Sequence, residues 1–176
     1  MSKKYLDLYT GWVNDFETMS YLSKFIKPMT LEAEEEWYSN LLKLDDNISF
    51  TVFDLETQKP IGTVGLFHID HVHKTCELGI MIGDKNYWSR GYGTETVRLI
   101  TDYGFTCLGL HNIMLKVYSF NPRAVRSYEK AGFKVVGKWR QSKRIAGKIH
   151  DVIIMEALAT EFQNSTIVQS LPEDLL

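Results

Sequence analysis

The chain has 176 residues, with 20 Lys plus Arg against 22 Asp plus Glu. That length suits one domain with a substantial core. The net charge of −2 gives no general attraction to nucleic acid or membrane, and no apolar run is long enough to span a bilayer.

The opening Met-Ser-Lys-Lys leads into no apolar signal region, so a cytoplasmic protein is expected. Cys76 and Cys107 fall in a predicted strand and a predicted helix, in no ligand-like spacing, and are expected as buried free thiols. Residues 4–22 read as one or two helical pieces, with Tyr5, Leu8, Tyr9, Trp12 and Val13 on one face and Asn14-Asp15 as the break. Thr30 caps a predicted helix over Leu31 to Leu44, whose first turns carry Glu32, Glu34, Glu35 and Glu36, the charge sign its dipole favours. Through Asn47 there are nine acidic residues (Asp7, Asp15, Glu17, these four glutamates, Asp45, Asp46) and five basic ones (Lys3, Lys4, Lys24, Lys27, Lys43), a net −4 that leaves +2 for the rest. Such a segment is either a solvated face or a surface that favours a cation.

Ile48 to Leu55 alternates as a strand, Glu56 to Pro60 turns, and Pro60 to Ile69 returns, an antiparallel hairpin. The turn His68-Ile69-Asp70-His71-Val72-His73 has no repeated ligand spacing and alternates faces if extended, so no metal site is expected. Thr75 to Gly83 is a third strand. It leads through a polar loop to Trp88-Ser89-Arg90-Gly91-Tyr92-Gly93-Thr94, after which Val97, Ile100, Tyr103 and Cys107 recur at helical spacing. The two glycines permit φ > 0 and close backbone approach, and the first helical turn points unpaired N–H groups into the loop, a site for phosphate to which Arg90 can add a charge-assisted bond. The alternative is a glycine-rich turn that only starts a helix. Thr96 stands where a dinucleotide fingerprint needs Gly or Ala, and no Gly-Lys-Ser/Thr follows, so neither common nucleotide motif fits.

Asn112 to Ser119 is a strand. Asn121 then caps a short helix, with Pro122 at its first position and Gly132 just past its end. Asn121, Ala124, Tyr128 and Ala131 share a stripe on which small residues leave room for a slender ligand between an amide and a phenol. Phe133 to Trp139 extends again, and Gln141 to Leu158 forms a final hairpin turning at Ala146-Gly147-Lys148. Residues 163–176 read as a loose tail or a partner-docking strand.

Arg90-Gly91-Tyr92-Gly93 followed by Asn121-x-x-Ala124-x-x-x-Tyr128-x-x-x-Gly132-Phe133 resembles the GNAT superfamily of acetyl-CoA-dependent N-acetyltransferases. Trp12-Val13-Asn14-Asp15 and the closing His150-Asp151-x-x-x-Met155 are similar to its ribosomal-protein N-acetyltransferase branch. The resemblance covers roughly Leu8 to Leu158. It implies an α/β, single-domain GNAT-like fold over 1–162, a mixed, largely antiparallel twisted sheet of about six strands flanked by about four helices. The branch usually opens with a strand before its first helix, so here the first sheet edge is expected to be missing, supplied otherwise, or lost through a wrong start. Trp88 stands where the superfamily often has Gln or Arg.

By the same resemblance, backbone amides of Arg90, Gly91, Tyr92, Gly93 and Thr94 hold the cofactor pyrophosphate. The strand Gly79 to Ile82, Met81 and Ile82 included, splays to pair with the pantetheine arm, and Asn121 and Arg126 meet the cofactor. Tyr128 would protonate the leaving thiolate, its phenol being protonated at neutral pH, unless it is a core aromatic. Glu77 would be the general base, directly or through water, unless it is a charge on the outer strand face. The implied reaction is direct acetyl transfer to a primary amine in a ternary complex, without metal. The favoured acceptor is a peptide or protein N-terminal amine; the alternatives are a polyamine, an amino sugar or an aminoacyl antibiotic, or a non-catalytic acyl-CoA-binding module. An α-amine, with pKa about 7.7–8.0, is appreciably neutral at physiological pH, whereas a Lys-type amine costs roughly 4 kcal/mol to deprotonate. No nucleic-acid or membrane partner is expected, and a homodimer is left open.

Overall fold

Six strands lie side by side in one sheet: β1 (Ile48–Phe53), β2 (Pro60–Asp70), β3 (Thr75–Ile82), β4 (Asn112–Tyr118), β5 (Lys134–Ile145) and β6 (Lys148–Leu158), in the order β1-β2-β3-β4-β6-β5. All neighbours are antiparallel except β3 and β4. This computed structural model describes residues 1–22, 28–163, 165–170 and 172. Six α-helices occur among them: α1 (Leu6–Asn14), α2 (Phe16–Ser20), α3 (Leu31–Leu41), α4 (Tyr92–Thr106), α5 (Pro122–Lys130) and α6 (Thr166–Ser170).

Strand alternation gives the sheet two different faces. Val64, Leu66, Leu78, Ile113, Leu115 and Met155 bury one face against Val97 and Ile100 of α4, with Phe133 from just beyond α5. On the other face Leu6, Tyr9 and Trp12 of α1 pack with Met81. Tyr9 reaches through this layer to share a 2.6 Å hydrogen bond with the Thr51 hydroxyl. A Cβ on Gly83 would run into the Trp12 indole, so a bare backbone is required where α1 crosses the end of β3.

The N-terminal helical stretch is two helices because Asp15 takes an extended conformation and caps the second, accepting from Thr18 N–H at 2.9 Å. Lys85 donates to Asp15 at 2.8 Å and to Glu17 at 3.2 Å, which fastens α2 to the loop after β3. The Lys85 hydrogen bond leads the causes that bring the Asp15 carboxyl down to about 2.

Several expectations need correction. The third helix stops at Leu41, three residues short, where the chain turns and Leu42 and Leu44 face outward. Phe133–Trp139 and the first arm of the last hairpin are one strand, β5, carried past irregularities at Val135/Gly137 and Trp139/Lys143. Cys107 is exposed, because it caps the C-terminus of α4 just beyond the last helical residue, Thr106; only Cys76 is buried. No strand precedes α1 among the described residues, and β1 forms the edge, its Ser49 carbonyl accepting from the Met1 ammonium at 2.6 Å.

Part of the expected tail is a sixth helix docked on α4. Asp102, 2% exposed, accepts from the Ser165 and Thr106 hydroxyls and from the N–H groups of Thr166 and Ile167. Residues 164, 171 and 173–176 of that tail, and Lys24 and Lys27 of the N-terminal charge count, lie outside the described residues.

Candidate active site

β3 and β4 pair only over Thr75–Glu77 and Asn112–Met114. Beyond that point β3 remains bonded to β2 as far as Ile82 and β4 to β6 as far as Tyr118, so each turns one free edge toward a widening gap. Gly83 N–H donates to Ile61 on the β2 side, whereas the Ile82 carbonyl accepts from Trp88 Nε1 on the gap side at 2.7 Å. By strand alternation the N–H and C=O of Ile80 point into the gap, and those of Met81 point back to β2.

The gap opens into a cavity of about 360 Å³. Gly91 and Gly93 form one end, where Gly91 takes φ +93° as the N-cap of α4 and no side chain caps the first turn. That leaves first-turn N–H groups directed outward, an arrangement that suits an anion. Of the two glycines only Gly91 has positive φ; Gly93 is helical, and its contribution is the absence of a side chain at the cavity wall.

α5 forms the facing wall. Asn121, 8% exposed, spends its Oδ1 on capping, accepting from Ala124 N–H at 3.1 Å, so its NH₂ is the group left for a ligand. Arg123, Arg126 and Lys130 line the same wall and supply positive charge. The Ser127 hydroxyl shares a 2.6 Å hydrogen bond with Thr94, which ties the middle of α5 to the first turn of α4. Tyr128 presents a half-buried ring to the cavity, and desolvation pushes its phenol up to about 12. Its hydroxyl has no hydrogen-bond partner among the described residues.

The structure thus brings Met81, Ile82, Gly91, Gly93, Thr94, Asn121, Arg126 and Tyr128 around one cavity. Arg90 and Tyr92 do not line it. The Arg90 guanidinium lies 5.7 Å from the Tyr87 ring and 5.9 Å from the Tyr92 ring. The Tyr92 hydroxyl donates to buried Asp54 at 3.0 Å, so both side chains brace the loop from behind. Glu77 also lies outside this cavity. It lines a second one, about 180 Å³, with Tyr21, Lys116, Tyr118, Trp139 and Lys143, and its carboxylate accepts from Lys116 Nζ at 2.8 Å.

Tyr21 lines both cavities and stands between them. Its ring meets Trp88 edge-on at 5.8 Å and Phe120 at 6.1 Å, and Arg123 lies 4.3 Å over Trp88. Sequence reading did not single out Tyr21, Arg123, Ser127 or Lys116. Arg123 and Ser127 were within reach, being on the same short helix as Asn121 and Tyr128; Tyr21 and Lys116 carry no local signal. None of the α3 glutamates lines either cavity, and Glu35 instead lies 3.5 Å from Lys3. No group of three His, Cys, Asp or Glu among the described residues could hold a metal, and no described helix is long and apolar enough to cross a membrane.

Residues 2–134 match the family model described as Acetyltransferase (GNAT) domain. The chain is 32% identical to the spermidine N(1)-acetyltransferase of Vibrio cholerae serotype O1 over 86% of each chain. It is also 32% identical to an uncharacterized N-acetyltransferase, p20, of Bacillus licheniformis, over 64% of this chain and 63% of that protein's length. The crystal structure of spermidine N-acetyltransferase from Vibrio cholerae in complex with CoA and spermine superimposes with a TM-score of 0.86 at 29% identity, covering 93% of this chain and 95% of that one. The relatives named here for an acceptor are spermidine enzymes and not members of the ribosomal-protein branch that the sequence motifs suggested. An unpaired strand edge, an uncapped glycine-started helix and a facing helix with a tyrosine, under a family match over most of the chain, make this protein a GNAT acetyltransferase.

Proposed function

We propose that this chain transfers the acetyl group of acetyl-CoA directly to a primary amine of a small polyamine. The observation that carries the reading is the juncture of the two cavities at Tyr21: one presents Tyr128 and the β3 edge, and the other presents a carboxylate among aromatic rings. Acetyl-CoA supplies a thioester, and the acceptor nitrogen displaces its sulfur. The outward first-turn amides of α4 and the cationic wall of α5 would hold phosphates, Ile80 would pair with the pantetheine amides, and the Asn121 NH₂ would bond the same arm. Tyr128 holds a proton that it can give to the departing thiolate, and its high pKa keeps it charged with that proton throughout the working range.

Tyr21, Tyr118 and Trp139 bring aromatic rings to the second cavity and Glu77 brings the negative charge, a lining with the chemistry of an amine site. The acceptor loses one proton as the C–N bond forms; Glu77, or water ordered by it, would take that proton. A peptide N-terminus is the weaker reading, because the relatives named for an acceptor act on spermidine. The cytoplasmic placement read from the sequence belongs to the same proposal. Thiol release from acetyl-CoA against spermidine, spermine, N-terminal peptides and amino sugars tests it. Turnover confined to peptides would overturn the polyamine assignment, and acetyl-CoA binding without any turnover would favour a regulatory module.

A further inference from the structure

Glu77 is the carboxylate of the second cavity, and it already holds an alkylammonium, that of Lys116, at 2.8 Å. The two side chains come from the neighbouring strands β3 and β4, just where their pairing ends, with 30% and 38% of their surfaces exposed. Lys143, from β5, brings a second ammonium to the same wall and has no carboxylate partner among the described residues. The lining thus holds two lysines and one carboxylate, one oxygen of which already accepts from Lys116.

We infer that Lys116 is an internal occupant of the acceptor's ammonium site, which a polyamine must displace from Glu77, and that it thereby sets acceptor affinity and selectivity. This rests on the acceptor reading given above. Lys116 Nζ is chemically the end of a primary alkylamine, so the geometry that holds it against Glu77 is the geometry an acceptor amine would use. Displacement is feasible because the pair is partly exposed, and such pairs are weakly held. Lys116 is a positioning residue in this account, acting through Glu77.

The test is steady-state thiol release by the full chain with spermidine for wild type, Lys116→Met, Lys116→Arg, Glu77→Gln and the Glu77→Gln/Lys116→Met double variant. Lys116→Met keeps the aliphatic stem and removes the competitor, so KM for spermidine should fall about three- to tenfold with kcat within about twofold. Lys116→Arg retains a competing cation that can bind the carboxylate through two N–H groups, so KM should not fall below the wild-type value. In the Glu77→Gln background Lys116→Met should lower KM by less than about twofold, because there is no longer a carboxylate to contest. An unchanged or higher KM in Lys116→Met, in a protein whose acetyl-CoA affinity is that of wild type, overturns the proposal while leaving the acceptor assignment intact. Equal effects of Lys116→Met in both backgrounds also overturn it. No thiol release with spermidine by wild type and variants alike overturns the acceptor assignment, and this inference with it.

Discussion

Thr94 and Ser127, 33 residues apart, share a 2.6 Å hydrogen bond that joins the first turn of α4 to the middle of α5. This contact fixes the distance between the two walls of the larger cavity. A double-mutant cycle with Thr94→Val and Ser127→Ala should give a coupling of about 0.5–1.5 kcal/mol by denaturant unfolding. The double variant should also bind acetyl-CoA more weakly in calorimetry; additive effects would mean that the walls are held elsewhere.

Tyr128 lies in that cavity with its phenol pushed up to about 12 by desolvation. Tyr128→Phe removes the proton and keeps the ring, so kcat should fall at least about tenfold, roughly 1.4 kcal/mol, with acetyl-CoA affinity within about twofold. The phenol's raised value places its ionisation well above neutrality. Rates should therefore rise with pH as the acceptor amine deprotonates, and a falling limb from Tyr128 should appear only near 12. A fall beginning at pH 8–9, absent from Tyr128→Phe, would contradict this.

Gly91 and Gly93 separate two demands on the loop. Gly91 sits at φ +93° with open space around it, so Gly91→Ala should cost about 1–2 kcal/mol of stability through backbone strain. Gly93 is helical, and an added Cβ would lie 3.6 Å from the Ser127 hydroxyl, an ordinary contact. Gly93→Ala should keep the wild-type melting temperature but weaken acetyl-CoA binding, since its methyl group would enter the cavity wall. Equal melting temperatures for all three proteins would remove the argument for strain at Gly91.

Asp102 anchors α6. Burial alone would raise its pKa, but hydrogen bonds from Ser165, Ile167, Thr106 and Thr166 outweigh that and hold the carboxyl below its usual value. A depressed pKa means the carboxylate stabilises the fold fully above the ordinary range, near about 3.9, and that this is lost as pH falls below it. Asp102→Ala should destabilise by about 1–3 kcal/mol and raise hydrogen exchange at Thr166 and Ile167, with acetyl-CoA binding preserved. Unchanged exchange there would show that α6 is held by its apolar contacts instead.

Much of the larger cavity was legible because its residues are close in sequence and follow local rules. Gly91 is needed where a helix starts from a left-handed residue, and Asn121 and Pro122 mark the start of α5. The side-chain direction of Tyr92 was not legible, because it depends on Asp54, which the fold brings from 38 residues away, and that of Arg90 follows the loop geometry that sets it beside Tyr87 and Tyr92. Cys107 was misplaced because the helical periodicity runs one residue past Thr106, where α4 ends, and does not show that its cap faces outward.

By itself the sequence determined the alternating strands, the capped helices and the glycine-started loop, since each rests on interactions among residues a few positions apart. Only the tertiary structure decided what the parting of β3 and β4 creates: an unpaired edge at Ile80, Tyr21 between two cavities, and Glu77 committed to Lys116. Glu77 and Lys116 are 39 residues apart, and their meeting depends on a parallel register of three residue pairs. No periodicity within either strand encodes that register, because a parallel pair is joined by a crossover, here the one that carries α4, and not by a turn that would fix it.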